Sequence, residues 1–113
     1  MKNNQWFDNF PGAITVTDEN AIITDMNMAS AESFENYGGR DLIGQDLFDC
    51  HPPAAQEKLR SLYQNPEPNV YTTEKNGQKK LIYQTPVYED GVLIGVVELS
   101  LPLPAEVPHF KRD

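Results

Sequence analysis

Cysteine, histidine and paired carboxylates are the residues through which a chain of this size would do chemistry, and here they are sparse. The single cysteine, Cys50, adjoins His51, with Pro52 next; the second histidine, His109, stands near the C-terminus. Cys50 has no second thiol with which to form an internal disulfide or begin a metal-ligand pair. Two histidines are too few for a protein zinc cage unless carboxylates join them, so no metal is expected. Neighbouring residues seldom face each other, whereas a nucleophile and its base must lie within hydrogen-bond reach, so Cys50 and His51 do not read as a catalytic pair. There is no Walker-type loop, no Gly-x-Gly-x-x-Gly and no His-Glu-x-x-His. The expectation is a protein that is not an enzyme. Cys50-His51-Pro52 could instead offer a thiolate or an imidazole to haem iron. The alternative is that His51 caps a helix and Cys50 is a small buried hydrophobe. His109, among prolines, reads as solvated.

Composition narrows the partners. With 17 acidic and 9 basic side chains in 113 residues the formal net charge is −8. No basic cluster exceeds Gln78-Lys79-Lys80, so neutralisation of nucleic-acid or membrane phosphates is not expected. No apolar run approaches the ~20 residues of a membrane span. Met1 to Phe10 lacks the charged and apolar regions of a signal peptide, which points to a cytoplasmic protein. The length suits one domain.

The elements that would position any site are organised around Asn69 to Leu101. Asn76-Gly77 and Asp90-Gly91 accept positive φ at little cost, and each lies between runs rich in Val, Ile, Thr and Tyr, so an antiparallel meander of three strands is expected. The last run, from Val92, is apolar on both parities, as befits a strand covered on both sides. Upstream, Trp6, Phe7 and Phe10 could form a short helical turn that Pro11-Gly12 ends. Ala13–Thr17 and Ala21–Met26 read as strands joined by Asp18-Glu19-Asn20. Asn27 is placed to cap a helix carrying Met28, Ala31 and Phe34 on one stripe, closed by Gly38-Gly39. A turn at Arg40–Ile43 and a longer helix opened by Pro52 or Pro53, with Ala55, Leu59, Leu62 and Tyr63 inward, follow until Asn65-Pro66. The fold class is therefore α+β: a five-stranded antiparallel sheet with short helices packed on one face. Residues 1–11 form a cap segment, 12–101 the domain, and 102–113 a proline-rich tail whose Pro102, Pro104 and Pro108 favour extended coil.

The order of these elements and several local strings resemble a PAS domain, a small-molecule or redox sensory module. The strings are Gly12-Ala13-Ile14-Thr15-Val16-Thr17-Asp18 with Asn20 and Ile23, and Asn27 opening the helix. Asp41-Leu42-Ile43-Gly44 is similar to the family's "ELIG", His51-Pro52 to its "HP", Asn76-Gly77 through Thr85-Pro86-Val87 to its hairpin, and Gly91 to Val97 to its final strand, with glycines at 91 and 95. Their order is specific where each motif alone is weak.

The resemblance implies a pocket between sheet and helices. It puts Thr72, Ile82, Gln84, Leu93 and Val97 on the pocket side, near Cys50, His51 and Leu59. Tyr71, Tyr83, Val92, Ile94 and Val96 would then lie on the outer face, where such domains pair or hold an N-terminal helix; Trp6, Phe7 and Phe10 are the candidates to cover it. A homodimer through that face, and output to a signalling partner protein, are the expected interactions. Gln84 and Thr72 could hydrogen-bond a small metabolite such as a carboxylate, or satisfy one another in a filled core. The photoactive flavin branch has a cysteine where this chain has Leu47, and its strand amides fall on Thr72, Lys80 and Val97, which argues against a flavin adduct. A ligand-free interaction adaptor, or a haem sensor using Cys50 or His51, is the alternative to a metabolite sensor.

Overall fold

A computed structural model of the chain describes residues 5–50 and 53–113, with only the backbone of Cys50. Five strands are present: β1 (Ala13–Asp18), β2 (Ile23–Met26), β3 (Asn69–Lys75), β4 (Gln78–Glu89) and β5 (Val92–Leu103). They form one sheet in the order β2-β1-β5-β4-β3, with every neighbouring pair antiparallel. The helices are α1 (Gln5–Asn9), α2 (Met28–Ser33) and α3 (Pro53–Gln64), with short 3₁₀ turns at Glu35–Tyr37, Gly39–Leu42 and Leu47–Cys50. Among the described residues no helix is long and apolar enough to cross a membrane.

The expected α+β class and meander are present. Asn76 and Gly77 have φ of 52° and 80°, and Asp90 and Gly91 have 50° and 78°, so both hairpins turn through the left-handed region that matches the twist of the flanking strands. β5 lies between β1 and β4, but the expected cover on both of its faces is not seen: Val92 and Ile94 are exposed, and Val97 and Leu99 on the outer face are half-buried. It continues through Pro102 to Leu103, past the expected end at Leu101. β1 stops pairing at Ser100, so beyond that point β5 has an open edge where a proline without an amide is tolerated.

One buried side chain joins strand to helix. Asn27 is 0% exposed. Its Oδ1 accepts from the Ser30 amide at 2.9 Å, which caps α2, and from the Ile14 amide at 2.9 Å. Its Nδ2 donates to the Gly12 carbonyl at 2.9 Å. The cap thus fixes where α2 starts relative to β1. The stripe expected on α2 is only partly realised: Ser30 is the buried residue and Met28 is 47% exposed, because the helix ends after Ser33 and its buried face is set by the Asn27 junction.

The cap segment departs from expectation. α1 packs beside α2, and Asp8 accepts from Arg40 at 2.9 Å, so Trp6 and Phe7 lie at the helical side of the molecule and do not blanket the outer face of the sheet. Phe10 alone reaches that face, where it and Leu101 converge over Gly12; a Cβ on Gly12 would stand 2.6 Å from Leu101 and 3.0 Å from Phe10.

Replacing Asn27 by Ala removes a cap and strands two amides and a carbonyl in the interior, and should lower stability by about 2–4 kcal/mol. Urea unfolding followed by circular dichroism measures this; a loss below about 0.5 kcal/mol would mean that the junction is not structural.

Candidate functional site

The five strands and the helices on one face enclose a cavity of about 580 Å³. Cross-strand partners share a face, so the register assigns its floor: Thr15 lies opposite Glu98 and Glu98 opposite Gln84, while Thr17 lies opposite Val96 and Val96 opposite Pro86. Thr15, Thr17, Gln84, Val96 and Glu98 line the cavity from the sheet. Leu59, Leu62 and Tyr63 of α3 form the roof, and Ile23, Met26, Phe34, Leu42 and Leu47 close the sides. Leu47 is held there because the chain around it bonds to the β2 edge: its amide donates to Ala21 at 2.8 Å, and Gly44 donates to Ile23 at 2.7 Å. Tyr37, 74% exposed, and the exposed Asp49 line the end that reaches solvent.

The walls are apolar and the polar groups are few and held. Thr15 and Ser30 share a hydrogen bond of 2.6 Å. Thr17 and Tyr63 bond hydroxyl to hydroxyl, tying α3 to β1 across the cavity. Tyr63 packs against Phe48 with ring centroids 6.4 Å apart, and Gln56 of α3 donates to the Phe48 carbonyl at 2.9 Å. On the floor, Asn69 donates to Gln84 Oε1 at 2.8 Å and Gln84 Nε2 donates to Glu98 Oε2 at 2.5 Å, a relay that fixes the amide's orientation. Burial raises the Tyr63 phenol above its ordinary value; the Thr17 bond works against this, and the carboxylates of Asp18, Glu98 and Asp46 reinforce it. Tyr71 is raised in the same direction, by burial first and by Glu98 second. Among the described residues there is no group of His, Cys, Asp and Glu able to hold a metal ion.

Of the residues expected on the pocket side, Leu59 and Gln84 line the cavity. Ile82 shares the face of Gln84 but is packed outside the lining. His51 and the Cys50 side chain lie outside the described residues. Two strand assignments require correction. Thr72 points to the outer face and Tyr71 to the inner one, because Tyr71 pairs with Ile82 and opposed residues lie on the same side. Val96, expected outside, is 4% exposed and lines the cavity, and Val97 faces outward.

The cause of the second error is a β-bulge. Val87 pairs with Gly95 and Tyr88 with Leu93, so Ile94 is an extra residue in β5. Strict alternation cannot cross it: the parity that holds at Leu93 is reversed from Val96 onward. Leu93, beyond the bulge, is not part of the lining. Of the residues expected on the outer face, Tyr83 is there and 37% exposed, and Ile94 and Val92 are exposed near the hairpin. Thr15, Thr17, Tyr63 and Glu98 were not singled out by the sequence as site residues. The usable sign was Glu98 itself, a carboxylate midway along the most apolar strand.

With this geometry established, the comparisons can be placed. The family described as PAS fold matches residues 7–65, just over half of the chain. No curated protein matches the sequence. Among solved structures, a C-terminal domain from Streptococcus mutans superposes with a TM-score of 0.74 at 17% identity, over 88% of this chain and 81% of that one. The Aer2 receptor from Vibrio cholerae, described as a dual PAS-heme oxygen sensor, gives 0.61 at 17% identity, over 82% and 95%. The VqmA dimer from Vibrio cholerae, described among LuxR-type receptors, gives 0.62 at 20% identity, over 92% of this chain and 53% of that one. At such identities these likenesses concern the fold, and they agree with the family match and with the sheet order. The chain belongs to the PAS-fold family.

Proposed function

We propose that this chain is a sensory domain that binds a small organic molecule in the cavity under α3 and passes occupancy through its sheet to a second copy of itself, performing no catalysis. The observation that carries this reading is the cavity: about 580 Å³, largely apolar, open to solvent beside Tyr37, with a few oriented polar groups on its floor. Ligand sites are built this way, and a merely structural core would be close-packed. The reading is supported by the fold shared with the Aer2 and VqmA receptors.

Transmission would run through β5. Val96 and Glu98 face the ligand space, and Val97 and Leu99, alternating with them, face outward beside Val16, Tyr83 and Ile14. A ligand that favours one position of β5 therefore biases the outer face as well, by as much as its affinity differs between the two positions. That outer face carries Val70 and Tyr83 exposed, with Leu99 and Leu101 half-buried, and α1 does not cover it. A two-fold pairing of such faces is the simplest way to bury them.

Haem is a second reading, favoured by the fold shared with Aer2. Among the described residues no histidine or cysteine lines the cavity, so an axial ligand would have to come from Cys50 or His51. A flavin adduct is not proposed, since Leu47 occupies the wall where the thiol would be required.

Two measurements test this. Native mass spectrometry after exposure to a metabolite extract should find a non-covalent small-molecule mass on the wild type and less of it on Val96→Phe, whose larger side chain takes up part of the cavity floor; a folded variant that retains the full adduct, or a wild type that never acquires one, would contradict the binding role. An absorption spectrum of the same sample distinguishes haem by its Soret band. For the pairing, Leu99→Glu should halve the mass seen by light scattering at unchanged circular dichroism, and an unchanged mass would reject that face.

A further inference from the structure

We infer that the cavity selects a cationic ligand, a small apolar or aromatic body bearing a protonated amine, with the Glu98 carboxylate as its anchor. This rests on the binding role proposed above and specifies the class of ligand. Glu98 stands in the floor of the cavity. It projects from β5 into a space whose other walls are supplied chiefly by Ile23, Met26, Phe34, Leu59, Leu62 and Val96. Its Oε2 accepts one hydrogen bond, from Gln84; among the described residues nothing donates to Oε1 and no cation pairs with the group. Lys58 on α3 lies over the Tyr71 ring at 5.3 Å and makes no ion pair with Glu98. No buried side-chain oxygen among the described residues lacks a partner, so Oε1 is accessible, and an ammonium in the cavity would add a charge-assisted bond to it.

The relay supports this direction. Asn69 occupies Gln84 Oε1, so Gln84 turns its amide nitrogen to Glu98 and commits one of its two N–H groups there. The remaining floor hydroxyls, Thr15 and Thr17, are engaged with Ser30 and Tyr63. Asp49 adds a second acidic side chain to the lining, and among the described residues no Lys, Arg or His lines the cavity. An anionic ligand of the kind the sequence suggested would meet a carboxylate and, among the described residues, no cation. Burial is the first cause of the raised Tyr63 and Tyr71 phenols, and the Glu98 carboxylate adds to it.

Tryptamine, tryptophol and indole-3-acetate carry the same bicyclic body with a cationic, neutral or anionic arm at pH 7, and their binding to the intact chain can be compared by calorimetry and by amide shifts of cavity residues. Tryptamine should bind at least tenfold more tightly than either analogue. That preference should vanish in Glu98→Gln and persist in Glu106→Gln, which makes the same charge change in the exposed tail. If indole-3-acetate binds as tightly as tryptamine, or if Glu98→Gln keeps the preference, the cationic assignment is overturned and the cavity remains a ligand site. If none of the three moves the cavity amides at millimolar concentration, the binding role itself is refuted and the assignment falls with it. Should Glu98→Gln fail to fold, the ranking of the three probes on the wild type decides the question alone.

Discussion

The close approach of β5 to β1 is the constraint on which the rest of the structure depends. At Gly95 a side chain is impossible, because a Cβ there would lie 2.1 Å from the Thr17 carbonyl oxygen. The contact brings the first strand of the chain into the interior of the sheet, between β2 and the last strand, so that the helices between β2 and β3 lie over one face before the meander begins. The same Thr17 turns its hydroxyl to Tyr63 and so ties the roof helix to the strand that Gly95 touches. A helix layer held by a few such polar ties, with α2 located by Asn27 and the 44–47 loop by the β2 edge, is positioned without having to fill the space beneath it.

A hollow follows from that economy of cover. Only α3 is long enough to lay a sustained apolar stripe on the sheet; the others are single turns or 3₁₀ segments whose bonds serve to steer the chain. Leu59 and Leu62 bury themselves at the rim, while Phe34, Leu42 and Leu47 line the sides without meeting across the middle. An apolar void forfeits dispersion contacts, so the arrangement is stable only because β-pairing and the buried Asn27 network supply the cohesion elsewhere.

Much of this was legible in the sequence wherever a local rule sufficed. Asn-Gly and Asp-Gly announced both hairpins, and Asn27 announced its cap. The floor of the site was not legible to the same degree, because its residues are assigned by cross-strand register. A single extra residue at Ile94 reversed the alternation along β5 and exchanged Val96 with Val97; Gly95, a glycine inside the strand, was its mark in the sequence. Tyr71 and Thr72 were exchanged for a related reason: both suit a strand, and only the pairing with Ile82 and Leu81 distinguishes their faces. Trp6 and Phe7 were expected on the sheet because the resemblance implies an N-terminal helix there, whereas the Asp8–Arg40 pair and the contact with α2 hold their helix to the other side.

The central claim is that an accessible apolar hollow lies between α3 and the β1–β5 floor. Diffraction from crystals pressurised with xenon tests it most directly, since xenon enters dry cavities without regard to the identity of any natural ligand. The account predicts xenon density bounded by Ile23, Leu59, Leu62 and Val96. Side chains closed over that space, with no xenon beneath α3, would contradict it.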